Sequence, residues 1–314
     1  MDRDALSLAA ADAKPTPHFP PIVVNRPARH EGSRLRVVLL NAAGGRRFRE
    51  ILKCLERPPL RGADVILLCE VNASRRRDVA MELGKALAMS CTYIREFGLK
   101  PPGGEIGLYM GNAILSSVPF DDVTPVAMHK PPTTLAWTRR VRNWSPVGKP
   151  TGLVTKLKFG DAEITVGVAH LHSRCSPAER ARQMGTYLES FPPAGRAIFG
   201  GDLNTTTTEL WDRAMFLATA RKMLADPQRF RAPQAYEPLF DHLRSHGLAI
   251  EGVNVANCPT FTFSGLIPRS MRPKLDWLAV RDLHPIAGTA AVIAPRAWIR
   301  RASDHDFVTV DLEL

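Results

Sequence analysis

The apolar positions of this chain come in short runs, and most runs end on a side chain that can carry charge or hold a proton. Residues 35–40 (Leu-Arg-Val-Val-Leu-Leu) read as a buried strand ending in Asn41, followed by Ala-Ala-Gly-Gly. Residues 65–68 form a second such strand and deliver Glu70, and residues 164–169 deliver His170 and His172. The run 197–199 passes through Gly200 and Gly201 to Asp202 and Asn204, and the strand 275–280 carries Asp276 near its start. A closing strand, 307–312, follows Asp304 and His305. Short apolar runs bounded by turn signals are the pattern of strands buried in a layered fold.

Between these runs the period changes from strand to helix. Residues 46–57 place Phe48, Ile51, Leu52 and Leu55 on one side, and residues 74–88 read as an amphipathic helix with Arg75, Arg76 and Arg77 in its first turn. Ser176-Pro177-Ala178-Glu179 has the form of a capping box with proline at the first helical position, so a helix is predicted to Leu188. Further strands are predicted at 92–94, 109–116, 154–159 and 260–263, and a mostly helical region at 209–247. Strands alternate with helices early, hairpins follow in the middle and near the end, and no repeat or linker divides the chain. This pattern predicts an α/β (α+β) fold of two mixed sheets packed face to face with helices outside, in one domain over residues 34–314. Residues 1–33, with five prolines and few apolar positions, read as a flexible or surface-hugging Pro-rich N-terminal arm.

Several of the polar strand ends suggest chemistry. Asp202 and Asn204 are two apart, so an extended backbone sends both side chains to one face. A carboxylate that takes a proton, beside an amide that holds an oxygen anion, suits attack of water on a phosphoryl or acyl centre. A tight turn with an Asx cap explains the same stretch. Glu70 at the end of an apolar strand is costly unless paired or bound to a cation, and strand ends of layered α/β folds are where ligands sit. His170 and His172 read as metal ligands or phosphate contacts as readily as structural residues. The neighbours Asp304 and His305 suit a fixed imidazole tautomer or a bound cation.

Composition sharpens the choice of partner. The formal net charge is +11, with arginine clusters at 46–47, 75–77, 139–142 and 300–301. Such an excess favours an anionic partner; a solvated basic surface is the bland alternative. Trp137 and Trp144 sit among Arg139, Arg140 and Arg142, a mixture able to stack on bases or grip phosphates, or to form a hairpin packed on a sheet. The five cysteines are scattered without a CxxC pair, which argues against a zinc cage and fits a reducing, cytoplasmic setting. No apolar run approaches the roughly 18 residues of a membrane span. No secretory signal is visible at the N-terminus.

The stretches Leu39-Leu40-Asn41, Leu68-Cys69-Glu70-Val71, Gly111-Asn112-Ala113-Ile114-Leu115-Ser116, Ala169-His170-Leu171, Gly201-Asp202-Leu203-Asn204, Leu275-Asp276-Trp277 and Ser303-Asp304-His305 together resemble the endonuclease/exonuclease/phosphatase superfamily. The resemblance covers residues 34–314 and departs at Cys69, where many members have Gln, and at the Ala-Ala-Gly-Gly after Asn41. It implies a deoxyribonuclease-I-like, four-layer α/β/β/α sandwich and a divalent-metal-dependent phosphoesterase. Glu70 would then be the main ligand of Mg2+ or Mn2+, with Asn41 orienting it or the phosphate, and Asp304 on the same or a second metal. Asp202 would activate the attacking water, Asn204 would hold a non-bridging oxygen, and His305 would contact the phosphate. Asp276 would brace a neighbouring histidine, taken as His170, and Asn112 is a secondary substrate contact. The basic balance and Arg139, Arg140 and Arg142 favour nucleic acid as substrate, hence a nuclease. A phosphatase or phosphodiesterase acting on a small phosphoester is the alternative, and a catalytically silent nucleic-acid-binding module a third reading. A monomer is expected, with no protein partner and no stable membrane association.

Overall fold

The computed structural model describes residues 19–129, 145–207, 221, 225–262, 272–297 and 300–314. In chain order the strands are β1 (Ile22–Val24), β2 (Arg34–Asn41), β3 (Val65–Ser74), β4 (Ser90–Lys100), β5 (Leu108–Ser116), β6 (Phe120–Ala127), β7 (Ser145–Gly148) and β8 (Thr151–Phe159). They continue as β9 (Ala162–His170), β10 (Ala197–Asp202), β11 (Asp276–Arg281), β12 (His284–Pro285), β13 (Ala291–Ile293), β14 (Arg296–Ala297), β15 (Arg300–Arg301) and β16 (Phe307–Glu313). The helices are α1 (Phe48–Leu55), α2 (Val79–Leu87), α3 (Pro177–Leu188), α4 (Gln228–Arg231) and α5 (Leu239–Ser245).

Two mixed sheets result. One runs β1-β4-β5-β3-β2-β16-β12, with β7 also on β4 and β13 on β16; the other runs β11-β10-β9-β8-β6. Alternation along the strands explains how they stack. Leu35, Val37 and Leu39 of β2 and Val65 and Leu67 of β3 meet Leu153, Val166, Val168, Ile198 and Leu278 of the second sheet. The intervening residues Val38, Leu40, Ile66 and Leu68 face outward onto Ile51 and Leu55 of α1 and Leu83 of α2. On the far side Phe199 and Trp277 pack against Tyr187 and Leu188 of α3 and Leu239, Phe240 and Leu243 of α5. The outcome is the expected sandwich of two sheets with helices outside. Each fully buried Val or Leu side chain contributes roughly 1.5–3 kcal/mol, so the runs that announced the strands also hold the layers together. Among the described residues no helix is long and apolar enough to cross a membrane.

The topology gathers polar strand ends at one edge. Strands β2 and β3 are parallel neighbours, paired from Val37–Val65 to Asn41–Cys69. In the second sheet β9 and β10 are parallel, with Asp202 opposite His170, and β11 places Asp276 opposite Asp202 on the other side. Three chemically able residues therefore stand in one row across three strands.

Three expectations change. Strand β3 runs on to Ser74, paired with Leu108, and the following helix begins only at Val79 because the Asp78 carboxylate caps it, accepting from Met81 N at 3.1 Å. Arg75, Arg76 and Arg77 therefore lie in the β3–α2 connection, outside the helix. The strand expected at 260–263 reduces, within the described residues, to a single bridge between Phe261 and His305. The flexible reading of the N-terminal arm is corrected for residues 19–33. There β1 pairs with the edge strand β4, the Asn25 side chain bonds both backbone groups of Phe120, and His30 Nδ1 lies 2.8 Å from Asp64 Oδ1. Covering the backbone edge of β4 is the physical reason this segment stays down. Arg139, Arg140 and Arg142, with Trp137 and Trp144, lie outside the described residues.

Candidate active site

Asp202 is the centre of the site. It ends β10, is 2% exposed, and accepts from Asn41 Nδ2 at 2.8 Å through Oδ2 and from the backbone N of Asn204 at 3.0 Å through Oδ1. Asn41 is fixed in turn, since its Oδ1 accepts from Ala43 N at 3.0 Å and its carbonyl accepts from Ser303 Oγ at 2.6 Å. The same Ser303 hydroxyl accepts from His305 N at 3.1 Å, tying the segment before β16 to the end of β2. Asn204 has a left-handed backbone (φ 48°), a conformation asparagine tolerates, and donates Nδ2 to Leu171 O at 2.8 Å. One amide hydrogen of Asn204 remains for another acceptor.

Two imidazoles flank the carboxylate. His305 Nε2 lies 3.7 Å from Asp202 Oδ2, and Nδ1 lies 2.8 Å from Asp276 Oδ2. His170 Nε2 lies 3.8 Å from Asp202 Oδ2 and 3.7 Å from Glu70 Oε1, while its Nδ1 faces Glu96 Oε2 at 3.9 Å. Asp276 therefore braces His305, and the expectation that it braces His170 is corrected. The β11 register sends Asp276 toward the segment before β16, and β4 supplies Glu96 to His170 from the opposite sheet.

Glu70 owes its position to an irregularity. The β3–β5 register shifts between Leu68 and Val71, and Glu70 takes a φ of 50°. A bulge of this kind re-aims a side chain that regular alternation would commit to one face. Left-handed backbone at a residue other than glycine costs about 1–3 kcal/mol and collects at functional sites. The Glu70 side chain is a third exposed, against near-complete burial of Asp202, Asp276 and Glu96.

Burial and charge compete throughout. Burial pushes the Asp202 carboxyl up to about 6, with His305 opposing the rise and Asp276 adding to it. For His305 burial works against the charge, but Asp276 and Asp202 outweigh it and hold the imidazolium to about 10. His170 is raised in the same way, burial being overcome by Asp202, Glu70 and Glu96. Glu96 is pushed up to about 7 by burial, against the pull of His170 and of Thr151 N. The site thus holds two cation-prone imidazoles among four carboxylates.

The residues singled out in the sequence do not all meet. Among the described residues, ligand atoms of Glu70, His170 and Asp202 lie within 4.8 Å of one another, as do those of Asp202, Asp276 and His305. Asp304 joins neither group; it is exposed, with Ser303 Oγ 3.4 Å from its Oδ1. Asn112 is wholly buried and donates Nδ2 to Thr151 O at 3.0 Å, a bond that joins β5 to the start of β8. His172 accepts from Arg174 N at 3.1 Å through Nδ1, within its own turn. Cys69 lies under the site between the sheets, its Sγ 3.5 Å from Asp202 N and 3.6 Å from Ala169 O. Glu96 escaped the sequence reading. It shares the inward face of β4 with Ile94, two residues earlier, and that alternation was the available signal.

An acid-rich donor set with unsatisfied oxygens suits a hard cation. Buried Asp276 Oδ1 and Glu96 Oε2 have no hydrogen-bond partner among the described residues, and Glu70 presents a partly exposed carboxylate beside His170 and Asp202. Oxygen-dominated sets of this kind match Mg2+ or Mn2+ better than soft metals.

The profile of the Endonuclease/Exonuclease/phosphatase family matches residues 38–305. No curated protein matches the chain by sequence. The fold is similar to that of D. rerio TDP2 complexed with a single-strand DNA product, at 18% identity, covering 90% of this chain and 100% of that one, with a TM-score of 0.55. It is similar to the 3'-5' exonuclease NExo from Neisseria meningitidis at 14% identity, covering 89% and 100%, with a TM-score of 0.58. Sphingomyelinase C from Streptomyces griseocarneus shares 16% identity over 89% of this chain and 99% of that one, with a TM-score of 0.50. With the profile spanning most of its length and this constellation at its strand ends, the chain belongs to the endonuclease/exonuclease/phosphatase family, whose members hydrolyse phosphoesters.

Proposed function

We propose that this phosphoesterase is a divalent-metal-dependent nuclease that cleaves phosphodiester bonds by in-line attack of water, with Asp202 as the general base. The observation that carries the reading is the convergence on Asp202. One oxygen is held by Asn41 and the other by Asn204 N, with an imidazole on either side. A carboxyl raised toward neutrality takes a proton more readily than an ordinary one, and its two hydrogen bonds fix it for an incoming water.

His305, kept cationic by Asp276, is placed to meet the charge that builds on the phosphoryl oxygens, and the remaining amide hydrogen of Asn204 serves a non-bridging oxygen. His170, held among Glu70, Glu96 and Asp202, orients the opposite side of the group. Glu70 is the proposed main metal ligand, with Asn41 orienting Asp202; Asp304, exposed and outside both donor groups, is a further proposed ligand at the rim. A bound Mg2+ or Mn2+ supplies Lewis-acid neutralisation of the phosphate charge.

Nucleic acid is the favoured substrate because the chain carries a net charge of +11, and structures of similar fold include one bound to a DNA product and one named as an exonuclease. A small phosphoester is the second reading, favoured by the similarity to a sphingomyelinase, since one fold serves several phosphoesters. The cysteine usage supports a cytoplasmic enzyme, which we take to be monomeric. Hydrolysis should be measured with Mg2+ or Mn2+ in parallel on plasmid DNA, single-stranded oligonucleotides, RNA and small phosphomonoesters. Cleavage of a polynucleotide is expected; phosphate release from the small esters alone would overturn the nuclease reading.

A further inference from the structure

A cavity of about 520 Å3 opens between the first turn of α1 and the start of α2, lined by Arg46, Phe48, Arg49 and Glu50 on one side and Arg77 and Glu82 on the other. Its position follows from how two turns are built. Ala43, Gly44 and Gly45 all have positive φ (48°, 79° and 63°). A Cβ on Gly44 would come within 2.6 Å of Asn72 Nδ2, and one on Gly45 within 2.4 Å of Val79 Cγ1. The β2–α1 turn therefore sits against the end of β3 and the first residue of α2, on either side of their connection, which brings the Arg46–Arg49 stretch beside Arg77.

Both turns leave the ends of parallel strands that deliver Asn41 and Glu70. Arg46 is five positions beyond Asn41, a reach of roughly 18 Å at most. A crevice outside the carboxyl ends of adjacent parallel strands is where layered α/β folds take ligands. Two of the three cations that line this cavity are available for one. Arg77 pairs with Glu82 at 2.9 Å and lies 4.7 Å from the centre of the Phe48 ring, whereas Arg46 and Arg49 are exposed and make no ion pair among the described residues. Phe48, half-buried, gives the cavity an apolar wall. Arginine forks beside an aromatic face suit a phosphate joined to a sugar or base better than a lone inorganic ion.

We propose that this cavity is a backbone subsite for a polynucleotide, in which Arg46 and Arg49 hold a phosphate a few nucleotides from the scissile bond and Phe48 packs against the adjoining sugar or base. The subsite rests on the nuclease reading and gives it a specificity element, because a small phosphoester held at Asp202 would leave the cavity unused.

The test compares the full-length protein with its Arg46→Ala/Arg49→Ala double variant. Binding of a fluorescent single-stranded oligonucleotide is followed by anisotropy in EDTA at several salt concentrations, alongside kcat/KM for that oligonucleotide and for bis(p-nitrophenyl) phosphate. Losing the one phosphate held by both arginines should lower the log–log salt slope by about 0.7 on single strands. Kd should rise roughly tenfold, and the oligonucleotide-to-small-ester ratio of kcat/KM should fall by a similar factor. Arg46→Lys/Arg49→Lys, which keeps the charges, should retain most of the slope. A wild-type enzyme that binds and cleaves the oligonucleotide, paired with a double variant of unchanged slope and ratio, would overturn the subsite alone. A wild-type enzyme that neither binds nor cleaves polynucleotides would overturn the nuclease reading and the subsite with it. Equal losses on both substrates would mark the arginines as structural and also overturn the subsite.

Discussion

Asp276 Oδ2 accepts from His305 Nδ1 at 2.8 Å, while the other nitrogen of the same ring faces Asp202 Oδ2 at 3.7 Å. Asp276 and His305 are 29 positions apart in sequence and are brought together by the β11 register on one side and the Ser303 hydroxyl on the other. Replacing Asp276 by Asn removes the charge that keeps the imidazolium. A loss of about 10²–10⁴ in kcat/KM is expected, by analogy with other positioned acid–base groups. The alkaline limb of the pH–rate profile should move to lower pH, because His305 then loses its proton earlier. A variant with the wild-type limb would show that Asp276 does not set the state of His305.

Glu70 is aimed by its bulge rather than by strand alternation, so its carboxylate is replaceable without touching the core. Glu70→Gln should keep the melting temperature measured in chelator. It should lose most of the rise that saturating Mg2+ gives the wild type through binding linkage. Thermal shift against Mg2+ concentration reads this directly. An unchanged titration would remove Glu70 from the metal site.

Metal-free stability should fall as pH rises from 7 to 10. Burial opposes the charge on His305, yet Asp276 and Asp202 hold its folded-state value at about 10, above the ordinary 6.5 of an unfolded chain. The resulting stabilisation is complete below about 6.5 and is lost as pH passes through about 10. Asp202, raised by burial to about 6, loses its contribution between about 3.8 and 6 and so leaves the slope above pH 7 to His305. Urea midpoints in EDTA at pH 7 and pH 10 measure the slope. A His305→Gln variant should flatten it, and an equally steep slope in that variant would place the titration elsewhere.

Arg180 and Glu237 form a fully buried pair at 2.6 Å and 3.0 Å between α3 and the approach to α5. Glu237 also accepts from Thr207 N at 2.7 Å, just beyond Asn204. Removing one partner leaves an uncompensated charge, so Arg180→Leu should destabilise by about 3–5 kcal/mol. Denaturant unfolding checks this, and a cost under about 1 kcal/mol would show that water or rearrangement rescues Glu237.

The strands were legible because each is an apolar run with a polar end, and the row of Asn41, Glu70, His170, Asp202, Asp276 and His305 was visible as a set of such ends. Their pairing was not. Which carboxylate braces which imidazole depends on register between strands distant in sequence, and Asp276 went to the wrong histidine for that reason. Glu96 was missed because Arg95 and Glu96 interrupt the apolar run of β4, so the strand was read as ending at Ile94 while its backbone pairing continues to Lys100. The start of α2 was misplaced because its helical period extends upstream of the Asp78 cap. The buried Arg180–Glu237 pair left no trace in the hydrophobic pattern, since a charged side chain on a helix ordinarily faces water.

The most direct measurement is the Mg2+-dependent rate of phosphodiester hydrolysis by Asp202→Ala beside the wild type. Circular dichroism and unfolding midpoints confirm that both are folded. A loss of about 10³-fold or more, with binding of the uncleaved substrate retained, is the expected result for a general base. A folded Asp202→Ala enzyme that cleaves within threefold of the wild-type rate would contradict the assignment of Asp202 as the base.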